Sequence, residues 1–241
     1  MKKTLVALAI SAALLPSLVH AEAGDIVVRL RATHINPDES SKLGEKTSEV
    51  YGVPSLGNVV YGSPNANLKV DSNTIPELDI SYYFTKNIAA ELILALGTKH
   101  DVDVSGSGGL INHKLGEVNL LPPTLTLQWH FNPDQMLDPY VGAGISYVRA
   151  MDNGLTANLG ASGSYPIRID RNNWGAALQA GLDVNLENRW LVNFDVKKIF
   201  VDTDVKLNLS GNELGLAGGY KKIDNLDIDP WVISVGFGKK F

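Results

Sequence analysis

The chain contains no cysteine among its 241 residues, which excludes disulfide bonds and thiolate metal sites. Basic residues are in the minority, with 21 Lys and Arg against 26 Asp and Glu, and no basic stripe indicates a nucleic-acid partner. The chain also lacks the motifs of nucleophile-elbow hydrolases, zinc proteases and P-loop NTPases. We therefore expect a protein that is not an enzyme and that uses neither a cofactor nor a metal ion.

Beyond its first residues, the chain has no apolar run of the roughly 20 residues that a membrane-spanning helix needs. The best internal candidate, residues 88–96, is short and contains Glu91. The chain after its N-terminus is thus either soluble or crosses a membrane as strands. Strands can cross only as a closed barrel, because lipid offers no partner for an unpaired backbone N–H or C=O.

The apolar run Leu5–Leu15 lies at the N-terminus and indicates export. Two lysines precede this run, and small residues lead up to Ala21. A positive start, a short apolar stretch and small residues at the cleavage site are the pattern of a secretory signal peptide. We expect a signal peptide over 1–21, cleaved after Ala21, and a β-barrel domain over 22–241.

Apolar residues recur at every second position in eight segments of the remaining chain, which favours strands over helices. Each segment has about the ~10 residues with which a tilted strand crosses a bilayer. One face is apolar, and the other mixes polar, charged and glycine residues. The pattern predicts an all-β fold, an eight-stranded antiparallel transmembrane β-barrel, with a soluble lipocalin-like barrel as the alternative. The segments are 26–33, 77–84, 90–97, 124–131, 140–147, 175–184, 190–197 and 231–238.

The connections between these segments alternate strictly between short and long, which favours the membrane barrel over the soluble one. Outer-membrane barrels have short periplasmic turns and long extracellular loops. The short connections are 85–87, 132–138 and 186–188, and the long ones are approximately 36–73, 98–118, 149–173 and 206–225. We therefore expect a multi-pass barrel in the outer membrane of a Gram-negative cell, in contact with outer-membrane lipid.

The chain ends on an aromatic residue, Phe241, after a segment that alternates towards it. This ending resembles the C-terminal signal that the barrel-assembly machinery reads, so we expect that machinery as a partner. Further aromatic residues lie near the ends of the segments, where their rings favour the bilayer interface.

Polar and charged side chains recur on the predicted inward faces of the segments. Charges inside a membrane are costly, so we expect these to face the interior and to pair there as a salt-bridged plug. An eight-stranded lumen is just wide enough to be filled by side chains or to hold one small ligand, so a wide aqueous pore is not expected. The predicted lumen residues are Arg29, Arg31, Glu77, Asp79, Glu91, Gln128, Asp183, Asp195 and Lys197.

Several short motifs, in the same order along the chain, resemble the OmpW family of small outer-membrane proteins, which includes the AlkL-type alkane-uptake proteins. The motifs are Gly24–Arg29, Asn36–Asp38, Leu121–Leu125 with Gln128, Pro139–Gly144, Asn173–Gly175, Val201–Thr203 and Ile228–Trp231. The resemblance implies an eight-stranded barrel with a partly hydrophobic interior and the passive uptake of small hydrophobic molecules. The first long loop departs from the family pattern.

Possible ligand contacts come from two sources. Tyr83, Ile93 and Tyr140 are apolar or aromatic residues on the predicted inward faces. Trp174 matches the Asn-Trp-Gly motif of the family. Loop residues such as Leu155, Leu159 and Tyr165 are expected to complete an apolar pocket, which an apolar ligand requires.

Two consecutive prolines, Pro122 and Pro123, open the fourth segment. Proline has no N–H to give to a sheet ladder and is confined to edges, strand starts and bulges. The pair either starts the strand at the outer rim or opens a lateral gate between the third and fourth strands. A gate there would let an apolar molecule leave the lumen sideways into lipid, as the family resemblance implies.

The resulting hypothesis is a channel for the passive uptake of small hydrophobic molecules, with lateral release into the membrane. The alternative is a structural or receptor barrel whose long polar loops bind partners and which transports nothing.

Overall fold

The computed structural model describes residues 22–95, 97–106, 114–158, 163–211, 216 and 218–241. The predicted signal peptide lies outside these described residues. Within them the chain forms fifteen β-strands and two α-helices. The strands are β1 (Ile26–Asn36), β2 (Asn67–Val70), β3 (Asn73–Tyr83), β4 (Ile88–Ala95), β5 (Thr98–Ser105), β6 (Lys114–Leu121), β7 (Thr124–His130), β8 (Leu137–Asp152), β9 (Gly154–Asn158), β10 (Ser164–Ile169), β11 (Asn172–Asn185), β12 (Trp190–Phe200), β13 (Asp202–Asn208), β14 (Tyr220–Asp227) and β15 (Trp231–Lys240). The helices are α1 (Leu43–Tyr51) and α2 (Leu56–Tyr61).

Eight of these strands close into an antiparallel barrel, in the order β1, β3, β4, β7, β8, β11, β12 and β15. The barrel closes where β15 pairs with β1, for example at Val27 and Lys240. This confirms the eight-stranded fold predicted from the alternating segments. None of the described helices is long and apolar enough to span a membrane.

The two-residue period of the sequence sets the two surfaces of the barrel wall. In β15, Ile233, Val235 and Phe237 are exposed on the outside, whereas Val232 and Ser234 are buried inside. Successive side chains of a strand point to opposite faces, so one apolar and one mixed face follow directly from the pattern. The outward face is the apolar surface that lipid requires.

The two ends of the barrel differ. At the short-turn end, neighbouring strands are connected by residues 84–87, 131–136 and 186–189. The first barrel strand begins at this end, and the last barrel strand ends there. The last of these turns contains Asn188 and Arg189 with φ of 57° and 64°. Positive φ at two consecutive positions is the geometry of tight hairpin turns that match the twist of the strands.

At the opposite end, the long connections fold into a structure of their own, which we call the loop cap: the described residues of 37–72, 97–123, 153–171 and 201–230. Strands β6, β5 and β2 extend the barrel sheet beyond β8, and β14, β13, β10 and β9 form a separate four-stranded sheet. The sequence predicted exposed loops here. The physical reason for the difference is that the two-residue period continues through them, with Val102 and Val104 in β5 and Val205 and Leu207 in β13 all buried.

The loop cap has its own apolar core. Its buried members include residues of both helices and of most cap strands. The larger members are Leu43, Leu56, Val60, Tyr61, Leu68, Val70, Val102, Val104, Leu115, Val118, Leu155, Ile167, Ile169, Val205, Leu207, Leu209, Ile223 and Leu226. The core of the cap lies directly above the mouth of the barrel.

Candidate functional site

The inward face of β1 shows how the barrel interior changes along its axis. From the short-turn end towards the loop cap, this face carries Val27, Arg29, Arg31, Thr33 and Ile35. The first four of these side chains are buried. Within one strand, the interior therefore passes from two cations through a hydroxyl to an apolar residue.

Arg29 is fully buried and sits in the lower part of a charged network that we call the plug. Its guanidinium donates to Ser81 at 2.6 Å, to Glu91 at 3.1 Å and to Asp183 at 2.6 Å. The partners come from β3, β4 and β11, on different sides of the barrel. One side chain thus ties together strands that are far apart around the wall.

Arg31 lies one layer higher and is equally buried. It donates through Nε to Asn193 at 2.7 Å and lies 3.3 Å from Glu77 and 3.1 Å from Glu91. Its remaining charged neighbour is Asp79, at 3.0 Å. Asp79 forms this ion pair, but neither of its carboxylate oxygens accepts a hydrogen bond from the described residues.

The third buried cation is Lys197, whose Nζ lies 2.8 Å from Asp195 and 3.2 Å from Glu77. Tyr140 donates its hydroxyl to Asp195 at 2.6 Å. The amide of Gln179 donates to the same carboxylate at 2.7 Å. Charged and neutral donors together surround Asp195, as a buried charge requires.

The structure brings all nine predicted lumen residues into this one plug. Each of them is buried within the barrel. Gln128, the neutral member, donates to Glu91 at 2.7 Å. The plug fills the lumen, as expected for a barrel of this size.

Two glycines on the inward face make room for the large plug side chains. A Cβ at Gly181 would lie 2.3 Å from Cζ of Tyr140, and a Cβ at Gly238 would lie 2.8 Å from Cγ of Arg29. No side chain fits at either place without moving these neighbours. The glycines on the polar face of the segments thus serve packing inside the barrel.

One group within the plug has the spacing of a metal site. Ligand atoms of His130, Asp138 and Asp183 lie within 4.8 Å of one another. These atoms already have protein partners: Asp138 lies 2.8 Å from Nδ1 of His130, and Asp183 accepts from Arg29 at 2.6 Å. A guanidinium in contact with the group opposes a further cation, so we assign no metal here.

A partly enclosed apolar cavity of about 80 Å³ lies between the plug and the loop cap. In the same measure, a single water needs roughly 10–15 Å³, so the space suits a small organic molecule. Barrel strands form its floor and cap strands its roof. Its apolar lining consists of Ile35, Pro37, Leu68, Val70, Val102, Val118, Leu120, Pro122, Val148, Leu155, Ile169, Ile199, Val201, Leu226, Ile228, Pro230 and Val232.

Four polar residues also line the cavity: Thr98, His100, Asn173 and Thr203. Thr98 donates to the carbonyl of Leu120. Asn173 donates to the carbonyl of Asp170 at 3.3 Å, and Thr203 accepts from the N–H of Asp170 at 3.2 Å. These hydrogen bonds tie the polar lining residues to the surrounding backbone.

The predicted ligand contacts do not line this cavity. Tyr83 and Tyr140 are buried near the plug, where Tyr83 packs on His130 and Tyr140 bonds to Asp195. Ile93 is buried in the barrel below the cavity. Trp174 is 66% exposed on the outer surface beside Tyr147, because β11 begins before it and its even-numbered residues face outward.

The loop residues named in the sequence analysis divide in three ways. Leu155 lines the cavity, as expected. Tyr165 packs against the core of the loop cap but is not part of the cavity wall. Leu159 lies outside the described residues. Most lining residues were missed. The alternation at 98–104 is a sequence signal for three of them, Thr98, His100 and Val102.

The Pro122–Pro123 pair lies at an interruption of the barrel ladder. The last pair between β4 and β7 on this side is Ile93 with Thr124. Pairing resumes between β5 and β6, where Thr98 pairs with Leu120. Among the described residues, no ladder pair lies between these two points. Pro122 lines the cavity at this interruption, and both prolines are half-buried.

Comparisons with known proteins agree with this architecture. The model of the OmpW family matches residues 22–241. Outer membrane protein W of Escherichia coli (strain K12) is 31% identical over 243 residues, which cover 100% of this chain and 99% of that protein. Outer membrane protein AlkL of Ectopseudomonas oleovorans is 30% identical over 192 residues, 78% of this chain and 76% of AlkL. The crystal structure of the outer membrane protein OprG from Pseudomonas aeruginosa matches with a TM-score of 0.73 and 29% identity, covering 92% of this chain and 98% of OprG.

Proposed function

The chain belongs to the OmpW family of outer-membrane barrels, and we propose that it is a passive channel for small hydrophobic molecules. The observation that carries this proposal is the apolar cavity directly above the plug. A ligand pocket for an apolar molecule must be concave and mostly apolar, and this cavity is both. The apolar lining of the cavity is therefore consistent with the uptake of hydrophobic molecules that the family resemblance implies.

The plug makes straight passage along the barrel axis unfavourable. A molecule continuing from the cavity towards the short-turn end would have to displace Arg31 from its carboxylate partners. Leaving buried charges unpaired costs several kcal/mol each, roughly 3–5 on removal of one partner. An apolar molecule offers nothing in return for this cost.

We propose instead that the molecule leaves sideways, through the ladder interruption at the Pro122–Pro123 pair. Proline supplies no N–H, so neither residue can close the ladder by donating to β4. Pro122 already lines the cavity, and the neighbouring Leu121 is exposed on the outside of the wall. Two adjacent residues thus contact the two ends of the proposed exit: Pro122 faces the cavity, and Leu121 faces the lipid side.

Uptake by whole cells tests the channel. In a deletion strain, Val232→Phe should lower the uptake of a limiting small apolar compound towards the level of the deletion, because Val232 lines the cavity. Val235→Phe is the matched control, since Val235 lies on the outside of the same strand. If a well-folded Val232→Phe protein supports uptake as fast as the control does, the cavity is not on the route.

A double variant, Pro122→Val with Pro123→Val, tests the lateral exit. Two restored N–H groups should extend the ladder and close the interruption, so the barrel should fold as well or better while apolar uptake falls. Equal uptake by the double variant and the parent would contradict the lateral route and leave the cavity itself in place.

The alternative function, a receptor or structural barrel without transport, has one observation in its favour. The loop cap is a folded unit with its own core, and it presents a defined surface rather than flexible loops. Binding of a phage or an antibody to the cap should then survive the Val232→Phe block. If such binding is the only activity that the deletion removes, the receptor function replaces the channel.

A further inference from the structure

His100 is the polar residue of the cavity lining whose chemistry the channel function does not use. It lies on the inward face of β5, between Thr98 and Val102, and it is only 3% exposed. An imidazole on an otherwise apolar wall is costly to bury unless both of its nitrogens are satisfied. The hydrogen bonds of its two ring nitrogens therefore indicate which kind of ligand the cavity can bind.

One nitrogen of this ring has a rigid partner. Nδ1 lies 2.8 Å from the backbone carbonyl oxygen of Asp71. The backbone of Asp71 is itself held, because its N–H donates to the carbonyl of Asp101 at 3.1 Å and its carboxylate accepts from the N–H of Asp101 at 2.5 Å. A carbonyl oxygen only accepts, so Nδ1 carries the proton.

The other nitrogen, Nε2, has no hydrogen-bond partner among the described residues. In a neutral imidazole that is protonated on Nδ1, Nε2 carries a lone pair and accepts. Asp71 is not part of the cavity wall, whereas His100 is. With Nδ1 turned towards Asp71, the opposite edge of the ring is left to the cavity.

We propose that the cavity selects small apolar compounds that carry one hydroxyl group, a phenol or an alcohol, and that His100 Nε2 accepts the hydrogen bond of that hydroxyl. This rests on the proposed channel function and names its substrate class. The apolar walls hold the hydrocarbon part of the compound, and His100 holds its polar end.

The position of His100 also places the hydroxyl close to the lateral exit. Thr98 is on the same face of β5, two residues away, and pairs with Leu120, two residues before Pro122. A compound anchored at His100 is thus held beside the ladder interruption. Release requires only that one hydrogen bond be exchanged for water or for a lipid head group.

Phenol and toluene form a matched pair of probes, because they differ by a hydroxyl in place of a methyl group. The protein, labelled with ¹⁵N-histidine and reconstituted in lipid nanodiscs at pH 8, is titrated with each compound. Phenol should shift the Nε2 resonance of His100 saturably, and toluene should bind without shifting it. The resonance is assigned by its loss in the His100→Asn variant.

The His100→Asn variant also separates a structural role from a ligand-binding one. The amide nitrogen of the asparagine lies near the former position of Nδ1 and can still donate to the carbonyl of Asp71. No atom of the asparagine replaces Nε2 as the hydrogen-bond acceptor. Phenol affinity should fall by about five-fold, the worth of one neutral hydrogen bond, while toluene affinity stays the same. His100→Gln places an acceptor near the position of Nε2 and should recover the preference for phenol. His34→Asn, on the outer face of β1, is the control and should change neither affinity.

An unshifted Nε2 resonance, or an equal loss of phenol and toluene affinity in His100→Asn, would overturn the anchor and leave the apolar channel intact. Failure of both compounds to bind the parent protein would overturn the anchor and the proposed function together.

Discussion

The plug and the loop cap occupy consecutive stretches of one interior, yet opposite chemistries pack them. In β12, the inward side chains at 195 and 197 are charged, and the next one on that face, Ile199, is apolar and lines the cavity together with Val201, which follows the strand. The backbone alternation is the same throughout. What differs is the contribution of burial to stability. In the plug, pairing offsets the cost of burying charges, whereas in the cap the removal of apolar surface from water is itself stabilising.

This difference predicts different responses to mutation. In the plug, most charges depend on partners from several strands, so the loss of a shared cation leaves several acids unpaired. In the cap, the apolar contacts are spread over many residues, and each truncation costs only its own transfer and cavity terms. The plug should therefore fail as a unit with the barrel, and the cap should fail locally.

The largest expected effect comes from Arg31→Met, which keeps an unbranched apolar stem but removes the guanidinium and its charge. Three acids lose their common partner, so the barrel should be destabilised by about 3–5 kcal/mol. Lys86→Met is the control: Lys86 is exposed in a short turn and pairs with Asp134 at 3.0 Å, a surface pair worth about 0–1 kcal/mol. Urea unfolding in lipid vesicles measures both. Equal unfolding curves for the two variants would show that the plug is not a cooperative unit.

An intermediate effect is expected from Leu207→Ala in the core of the loop cap. Leu207 is fully buried, and such truncations cost about 2–5 kcal/mol. The loss should appear as faster amide exchange in β13, with exchange in the neighbouring barrel strand β12 unchanged. Val59→Ala, on an exposed position of the cap, is the control and should leave both strands as they are. If β12 exchanges faster as well, the cap and the barrel unfold together, and the contrast drawn here is wrong.

The smallest effect is expected from Asp79→Asn, within the plug itself. Asp79 accepts no hydrogen bond from the described residues, and it shares Arg31 with Glu77 and Glu91. Losing its charge should change stability by about 1 kcal/mol or less, because the penalty of burying the carboxylate disappears with it. Glu91→Gln is the matched comparison, since Glu91 accepts from Gln128 and pairs with both arginines. The same urea experiment should separate the two variants, and an equally large loss for Asp79→Asn would mean that every acid of the plug is essential.

The sequence predicted the barrel well, because a strand has a strict two-residue period and the membrane imposes an apolar outer face on every strand. The same period placed the nine plug residues on inward faces. It also places Trp174 on an outward face, since 174, 176 and 178 share one face.

The cavity was much harder to predict. Its wall combines residues as distant in the chain as Ile35, His100 and Val232. Each of the segments 98–104 and 202–209 alternates as a strand does. Their polar residues and glycine-rich surroundings, however, are typical of loops. Nothing in a single segment indicates that it will pack over the mouth of a barrel.

The sequence by itself therefore determined the number of barrel strands, the two faces of each strand and the identity of the charged interior, because all of these follow from local periodicity and from the cost of exposing charge to lipid. Only the tertiary structure decided which carboxylate meets which cation, that the long connections fold into a cap, and that His100 lines the cavity with one ring nitrogen turned to Asp71. These depend on the register of strands around a closed wall and on the space between distant segments, and no local pattern encodes either.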